Sequence, residues 1–167
     1  TALPYLLAAL SGYESLDTTD ADYSYVDILR NLAMVKAEVE NMESASAAYQ
    51  QALDEAEKRD LPLERAAIYR DMGVLAARHG DSASAIKHWS DALELYEGQD
   101  EYARVARIYS DIANLRRQHG ESERALKTFE KALTAINLAD DTETRGVVLA
   151  NAAVAYFDSG DIENSES

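Results

Sequence analysis

The chain has no cysteine in its 167 residues, which excludes disulfides, thiolate metal sites and cysteine nucleophiles. Proline is almost missing too. Pro4 stands near the start and Pro62 between two periodic segments, so long stretches carry no helix breaker. Nothing resembles a phosphate-binding glycine loop, a nucleophile elbow or an HExxH pattern, and no cofactor, metal or catalytic constellation is expected. No apolar run approaches the ~20 residues that span a bilayer. The opening Thr1 to Leu10 lacks the basic flank of a signal peptide. These absences favour a cytoplasmic location. Positive charge is scarce: 16 Lys and Arg stand against 31 Asp and Glu, a formal net charge of −15. Nucleic acid needs clustered cations to release counterions, and an anionic membrane surface needs them as much, so neither is expected as a partner.

Apolar residues make up 47% of the chain, enough to exclude disorder despite the charge. Ala, Leu, Glu and Arg dominate the proline-free stretches and favour helix. An internal repeat organises them. Ala66-Ala67-Ile68-Tyr69-Arg70-Asp71 returns as Ala106-Arg107-Ile108-Tyr109-Ser110-Asp111, an offset of 40 residues. At the same offset His79-Gly80 matches His119-Gly120, Ala85 matches Ala125, Trp89 matches Phe129 and Ala92-Leu93 matches Ala132-Leu133. One step back falls on Leu29, Ala33, Ala45, Tyr49, Ala52 and Leu53; one step forward falls on Leu149, Ala153 and Gly160. A gap-free match of this length marks one supersecondary unit repeated in tandem.

Each unit reads as two helices. Ile68, Met72, Leu75 and Ala76 recur at helical spacing, and His79-Gly80-Asp81-Ser82 supplies a stop and a restart. Gly80 suits a left-handed C′ position, and Asp81 or Ser82 suits the next N-cap. Ala85, Ile86, Trp89, Ala92, Leu93 and Tyr96 follow on the second helix, and Gly98-Gln99-Asp100 closes the unit. These residues resemble the tetratricopeptide repeat family. Its aromatic–small pattern falls on Tyr69, Gly73, Ala85, Trp89 and Ala92, then on Tyr109, Ala113, Ala125, Phe129 and Ala132. The resemblance covers residues 22 to 161. The period exceeds the family's usual ~34 residues, as in kinesin light chains, rapsyn-like and Pins-like scaffolds and bacterial regulators of this type.

The resemblance implies an all-α, right-handed solenoid of antiparallel helix pairs. A flanking helix at 1–20, repeats at 22–60, 62–100 and 101–140 and a partial repeat at 142–167 are expected within one domain. The last repeat has a first helix through Leu149, Ala152, Ala153, Tyr156 and Phe157, and a second only beginning at Asp161-Ile162-Glu163. Opening without Met and ending in a polar run, the sequence reads as an excerpt of something longer.

In the family, ligands lie in the groove lined by the first helices. The positions carried over are Asp27, Arg30, Asn31, Met34 and Glu38, then Arg70, Asp71, Val74 and Arg78. Arg107, Asp111, Asn114 and Arg117 follow, then Ala150, Asn151, Val154 and Asp158. One position reads Asn31, Asp71, Asp111, Asn151 through the units. In the family an Asn there hydrogen-bonds a bound peptide backbone, for which its donor and acceptor are suited. An ionised Asp only accepts. The alternative is that these side chains bond to neighbouring helices. Arg30, Arg70, Arg78, Arg107 and Arg117 fall on the same face, which fits an acidic or mixed-charge peptide. Internal pairing, such as Arg70 with Asp111, is the equal alternative. The family's Lys and Asn clamp for a terminal carboxylate is not found.

His79 and His119 occupy equivalent places and are expected as helix caps rather than metal ligands; His88 is expected as a lone surface residue. The leading expectation is a non-catalytic module binding a protein or extended peptide. The other two readings are a self-assembly element acting through the last helix at Tyr156 or Phe157, and the sensor part of a larger regulator.

Overall fold

The computed structural model describes residues 3–14, 22–39 and 42–160. Eight helices lie among them: α1 Leu3–Glu14, α2 Asp22–Val39, α3 Met42–Lys58, α4 Pro62–Arg78, α5 Ser82–Glu97, α6 Tyr102–Gln118, α7 Ser122–Leu138 and α8 Thr142–Asp158. The described residues hold no strand. The starts of α2, α4, α6 and α8 lie at 22, 62, 102 and 142, and those of α3, α5 and α7 at 42, 82 and 122. The residue identities and the helices thus share one period. The start of a further helix at Asp161-Ile162-Glu163 lies outside the described residues, as do residues 15–20 of the expected flanking helix.

Turn chemistry explains why the helices stop where they do. Gly80, Gly120 and Gly160 have φ of 79°, 76° and 78°, the left-handed region that glycine adopts without a Cβ penalty. After α4, the Asp81 N–H donates to the Ala76 carbonyl and the Gly80 N–H to that of Ala77, each at 3.0 Å. The pattern repeats after α6, where Glu121 reaches Arg116 at 2.9 Å and Gly120 reaches Arg117 at 3.0 Å. The second helices end differently. Asp60 and Asp100 take φ of 54° and 58° although neither is glycine. Of the two expected caps for α5, Asp81 serves: its Oδ1 accepts from the Ser84 N–H at 3.0 Å. Pro62 stands at the start of α4, where a missing N–H is harmless.

The chain forms two compact units, Thr1–Leu95 and Tyr96–Ser167. In the first, α1 lies on α2, α2 packs on α3 and α4, and α3 packs on α4. Val26, Leu29 and Ala33 from α2 meet Ala45, Tyr49, Ala52 and Ala56 from α3, with Leu61, Ile68 and Leu75 completing the core. The alanines let helix backbones approach, and the larger side chains fill the space between. Gly73 carries that logic furthest. A Cβ there would lie 2.9 Å from Cε2 of Trp89 and closer still to Cδ1 and Nε1. The indole, 3% exposed, occupies that space and donates its N–H to the Arg70 carbonyl at 3.2 Å.

In the second unit α6, α7 and α8 pack on one another. Ala113, Phe129, Ala152 and Ala155 form a core with Leu126, Leu133 and Tyr156 packed against it. Tyr156 therefore belongs to the core, whereas Phe157 is 67% exposed. His88 also departs from expectation. It is half-buried and stacks on Tyr69 with centroids 6.3 Å apart, because Tyr69 offers it a flat apolar face. Burial lowers its pKa below the ordinary histidine value.

Candidate peptide-binding groove

The residues carried over to the groove in the first unit converge on α2 and α4. Met34, Glu38, Asp71, Val74 and Arg78 line one cavity of about 380 Å³, with Tyr49 from α3 and Val35, Ala37 and Leu75 beside them. Helical spacing accounts for the convergence. Met34 and Glu38 are four residues apart on α2, and Asp71, Val74 and Arg78 follow three or four apart on α4. Both stripes face the same space. Its walls are mainly apolar, and two apolar side chains stand at its mouth: Met34, 44% exposed, and Val74, 38% exposed.

The charges around this cavity are matched in pairs. Arg78 Nη1 hydrogen-bonds Glu38 Oε1 across the rim. That bond holds the Glu38 carboxyl below its ordinary pKa and raises the Arg78 guanidinium above its own. Asp71 is 6% exposed, and its Oδ1 accepts from Arg70 Nε at 3.0 Å and from Arg70 Nη2. Its Oδ2 faces Arg30 Nε at 3.5 Å, an ion pair beyond hydrogen-bond length. Arg30 also reaches Asp27 at 3.4 Å. A buried carboxylate needs such partners, since leaving it unpaired would cost several kcal/mol. Tyr49 is 2% exposed, and burial pushes its hydroxyl pKa up, with the Asp71 charge adding to the shift.

The second unit presents the equivalent positions in a more polar form. Arg107 Nε donates to Thr144 Oγ1 at 3.1 Å. Arg117 Nη1 meets Asp158 Oδ2 at 2.6 Å. Asn151 Nδ2 donates to Ser110 Oγ at 3.1 Å, and Ser110 is 3% exposed. Asp111 and Asn114 are half-buried, while Val154 is 49% exposed. Asp141 caps α8 by accepting from the Thr144 N–H at 2.9 Å, which lowers its pKa.

The sequence-derived ladder is thus not uniform. Asn31 is exposed, Asp71 is buried against two guanidinium groups, Asp111 is half-buried and Asn151 bonds to Ser110. Each of the five groove arginines has a partner within the chain. Tyr49 is the residue that sequence reasoning missed. The signal was there: its repeat equivalents are Trp89 and Phe129, so a hydroxyl at that core position needs somewhere polar to point. Met34, Val74 and Val154 share a second regularity. They hold one repeat position, occupied by Asn114 in the remaining first helix, and each is an exposed bulky apolar side chain.

No helix among the described residues is long and apolar enough to cross a membrane, and no group of three or more His, Asp or Glu there is arranged to hold a metal ion. A family profile described as tetratricopeptide repeat matches residues 24–98 and 64–137. No curated protein matches the chain. Among solved structures, BtubC (BKLC) from P. vanneervenii is similar with a TM-score of 0.78 and 24% identity, over 96% of this chain and 66% of that one. This chain therefore spans just under two thirds of that protein's length. The nearly identical TPR-like repeats of a Podosopora anserina putative kinesin light chain are similar with a TM-score of 0.52 and 13% identity, over 98% and 89% of the two chains. At these identities the likeness is one of fold: all-α helical repeats of the solenoid class.

Proposed function

The chain belongs to the tetratricopeptide repeat family, and from that premise we propose that it is a non-catalytic module holding a segment of a partner protein on the face of its first helices. Repeats of this family mediate protein–protein interaction. The observation that carries the finer reading is the cavity between α2 and α4. There two exposed apolar side chains, Met34 and Val74, stand over a buried, charge-paired floor. Apolar side chains at the mouth of a concave cavity are a common place for a partner to dock. The intramolecular pairing of the arginines weakens the case for a purely acidic partner. A cytoplasmic scaffold fits the acidic, cysteine-free chain.

Replacing Met34 and Val74 together by glutamate tests the reading, because both sites are exposed enough to accept the change without loss of helix. A partner retained by wild-type protein and lost by this variant supports groove binding. Equal retention contradicts it and directs attention to α8. There a second reading, self-association, is favoured by Val147, Val154 and Phe157, which are 49%, 49% and 67% exposed. Their spacing of seven and three residues places them on one stripe. Sedimentation of wild type against Phe157→Ser separates the two readings.

A further inference from the structure

We propose that the cavity of the first unit takes one bulky apolar side chain, leucine- to phenylalanine-sized, from a partner segment whose flanking residues are basic. The proposal rests on the groove reading above and names the partner's chemistry. Size comes first. An apolar cavity of ~150 Å³ accepts benzene, and this one offers about 380 Å³ with an open mouth. It has room for a large side chain and part of the backbone that carries it.

Polarity narrows the choice. Met34, Val35, Val74 and Leu75 supply the walls, so a charged group entering would be stripped of water against hydrocarbon. An acidic group would gain little in return. Arg78 is bonded to Glu38, and Arg70 and Arg30 are both held by Asp71. An incoming carboxylate would have to displace one that is tethered to the protein. The apolar anchor makes no such demand.

Charge then selects the flanks. The chain carries a formal charge of −15, and because Asp27, Glu38 and Asp71 are matched by Arg30, Arg78 and Arg70 around the cavity, the field a partner meets there is that of the whole molecule. Such a field attracts basic segments and repels acidic ones, mainly through the association rate.

The test is an NMR titration of the whole chain, labelled at methionine and valine methyl groups, with short synthetic peptides. Three share lysine- and arginine-rich flanks and carry Leu, Ala or Glu at the centre. A fourth carries Leu between acidic flanks. The Leu peptide with basic flanks is expected to shift the Met34 and Val74 methyl signals, and the Ala peptide to bind at least about tenfold more weakly. Raising salt should shrink the advantage of basic over acidic flanks. Val74→Gln and Met34→Gln, each checked for helicity, should weaken the Leu peptide about tenfold. A Glu-centred or acid-flanked peptide that shifts the same methyls with equal or greater affinity overturns the anchor and leaves groove binding standing. Binding of the Leu peptide that ignores both variants and shifts only signals outside α2 and α4 overturns anchor and groove together. Silence with every peptide up to millimolar concentration overturns the apolar anchor, while the glutamate variant of Met34 and Val74 still tests the groove on a natural partner.

Discussion

Gly73→Ala is expected to destabilise this protein, against the usual rule for helix interiors. At an unhindered site the change gains about 1 kcal/mol, because alanine loses less entropy in a helix. Here the new methyl would fall 2.9 Å from Cε2 of Trp89 and nearer still to Cδ1 and Nε1. The ring cannot retreat freely, since it is 3% exposed and its N–H is bonded to the Arg70 carbonyl at 3.2 Å. Overpacking typically costs about 1–3 kcal/mol, and a lost hydrogen bond about 1 kcal/mol. Set against the propensity gain, the net loss is about 1–3 kcal/mol. The next repeat supplies the control, with Ala113 and Phe129 at the corresponding positions, both fully buried. Trp89→Phe should therefore make room, so that Gly73→Ala becomes neutral or stabilising in that background. Urea unfolding followed by far-UV circular dichroism measures the cycle without relying on the single tryptophan. The two changes should couple by about 1–3 kcal/mol. A wild-type background in which Gly73→Ala gains the full propensity value, with no coupling to Trp89→Phe, would refute the packing argument.

Other expectations follow from the same contacts. Tyr49 has a raised pKa in the folded state, so its contribution is fully present below the ordinary tyrosine value near ~10 and is lost as pH rises through the folded value. Tyr49→Phe should accordingly flatten the loss of stability above about pH 10, seen by comparing urea midpoints at neutral and alkaline pH; an unchanged slope would contradict the burial of the hydroxyl. Asn151→Ala strands the Ser110 hydroxyl and should cost about 1–2 kcal/mol. Adding Ser110→Ala should recover part of that loss, and thermal unfolding reads both. Gly120→Ala must place a Cβ at φ 76° and should cost about 1–2 kcal/mol. At Asp60, with φ 54°, the opposite change Asp60→Gly should be neutral or stabilising by denaturant titration.

Much of this architecture was legible because the repeat is free of gaps. Once Tyr69 aligned with Tyr109, the starts of α2 to α8 lay one period from their counterparts. Five of the nine groove positions named on α2 and α4 line one cavity, while Asp27, Arg30, Asn31 and Arg70 are not among its lining residues. Less legible was which side chains spend their bonding capacity inside the chain. A row of Arg30, Arg70 and Arg78 looks the same in sequence whether it awaits a ligand or already holds Asp71 and Glu38. The answer depends on distances across helices that share no local signal. Asn31 and Asn151 make the point within one repeat position: one is exposed, and the other is bonded to Ser110, which α6 alone provides. Helix ends were half legible. His-Gly announced the ends of α4 and α6, and Gly98-Gln99-Asp100 marked the end of α5 without showing that Asp100 is the residue that takes the left-handed conformation. Aspartate tolerates that region better than most side chains, so composition alone did not decide the matter.

The most direct test of partner binding on α2 and α4 is site-specific photocrosslinking in native extract. A benzophenone amino acid is placed at Val74, at Phe157 or, as a control, at exposed Lys127 on α7. Groove binding predicts a discrete crosslinked partner from Val74 that neither other position captures, with the crosslink mapping to an apolar residue of that partner. Crosslinks from Phe157 alone, or equally from all three positions, would contradict it.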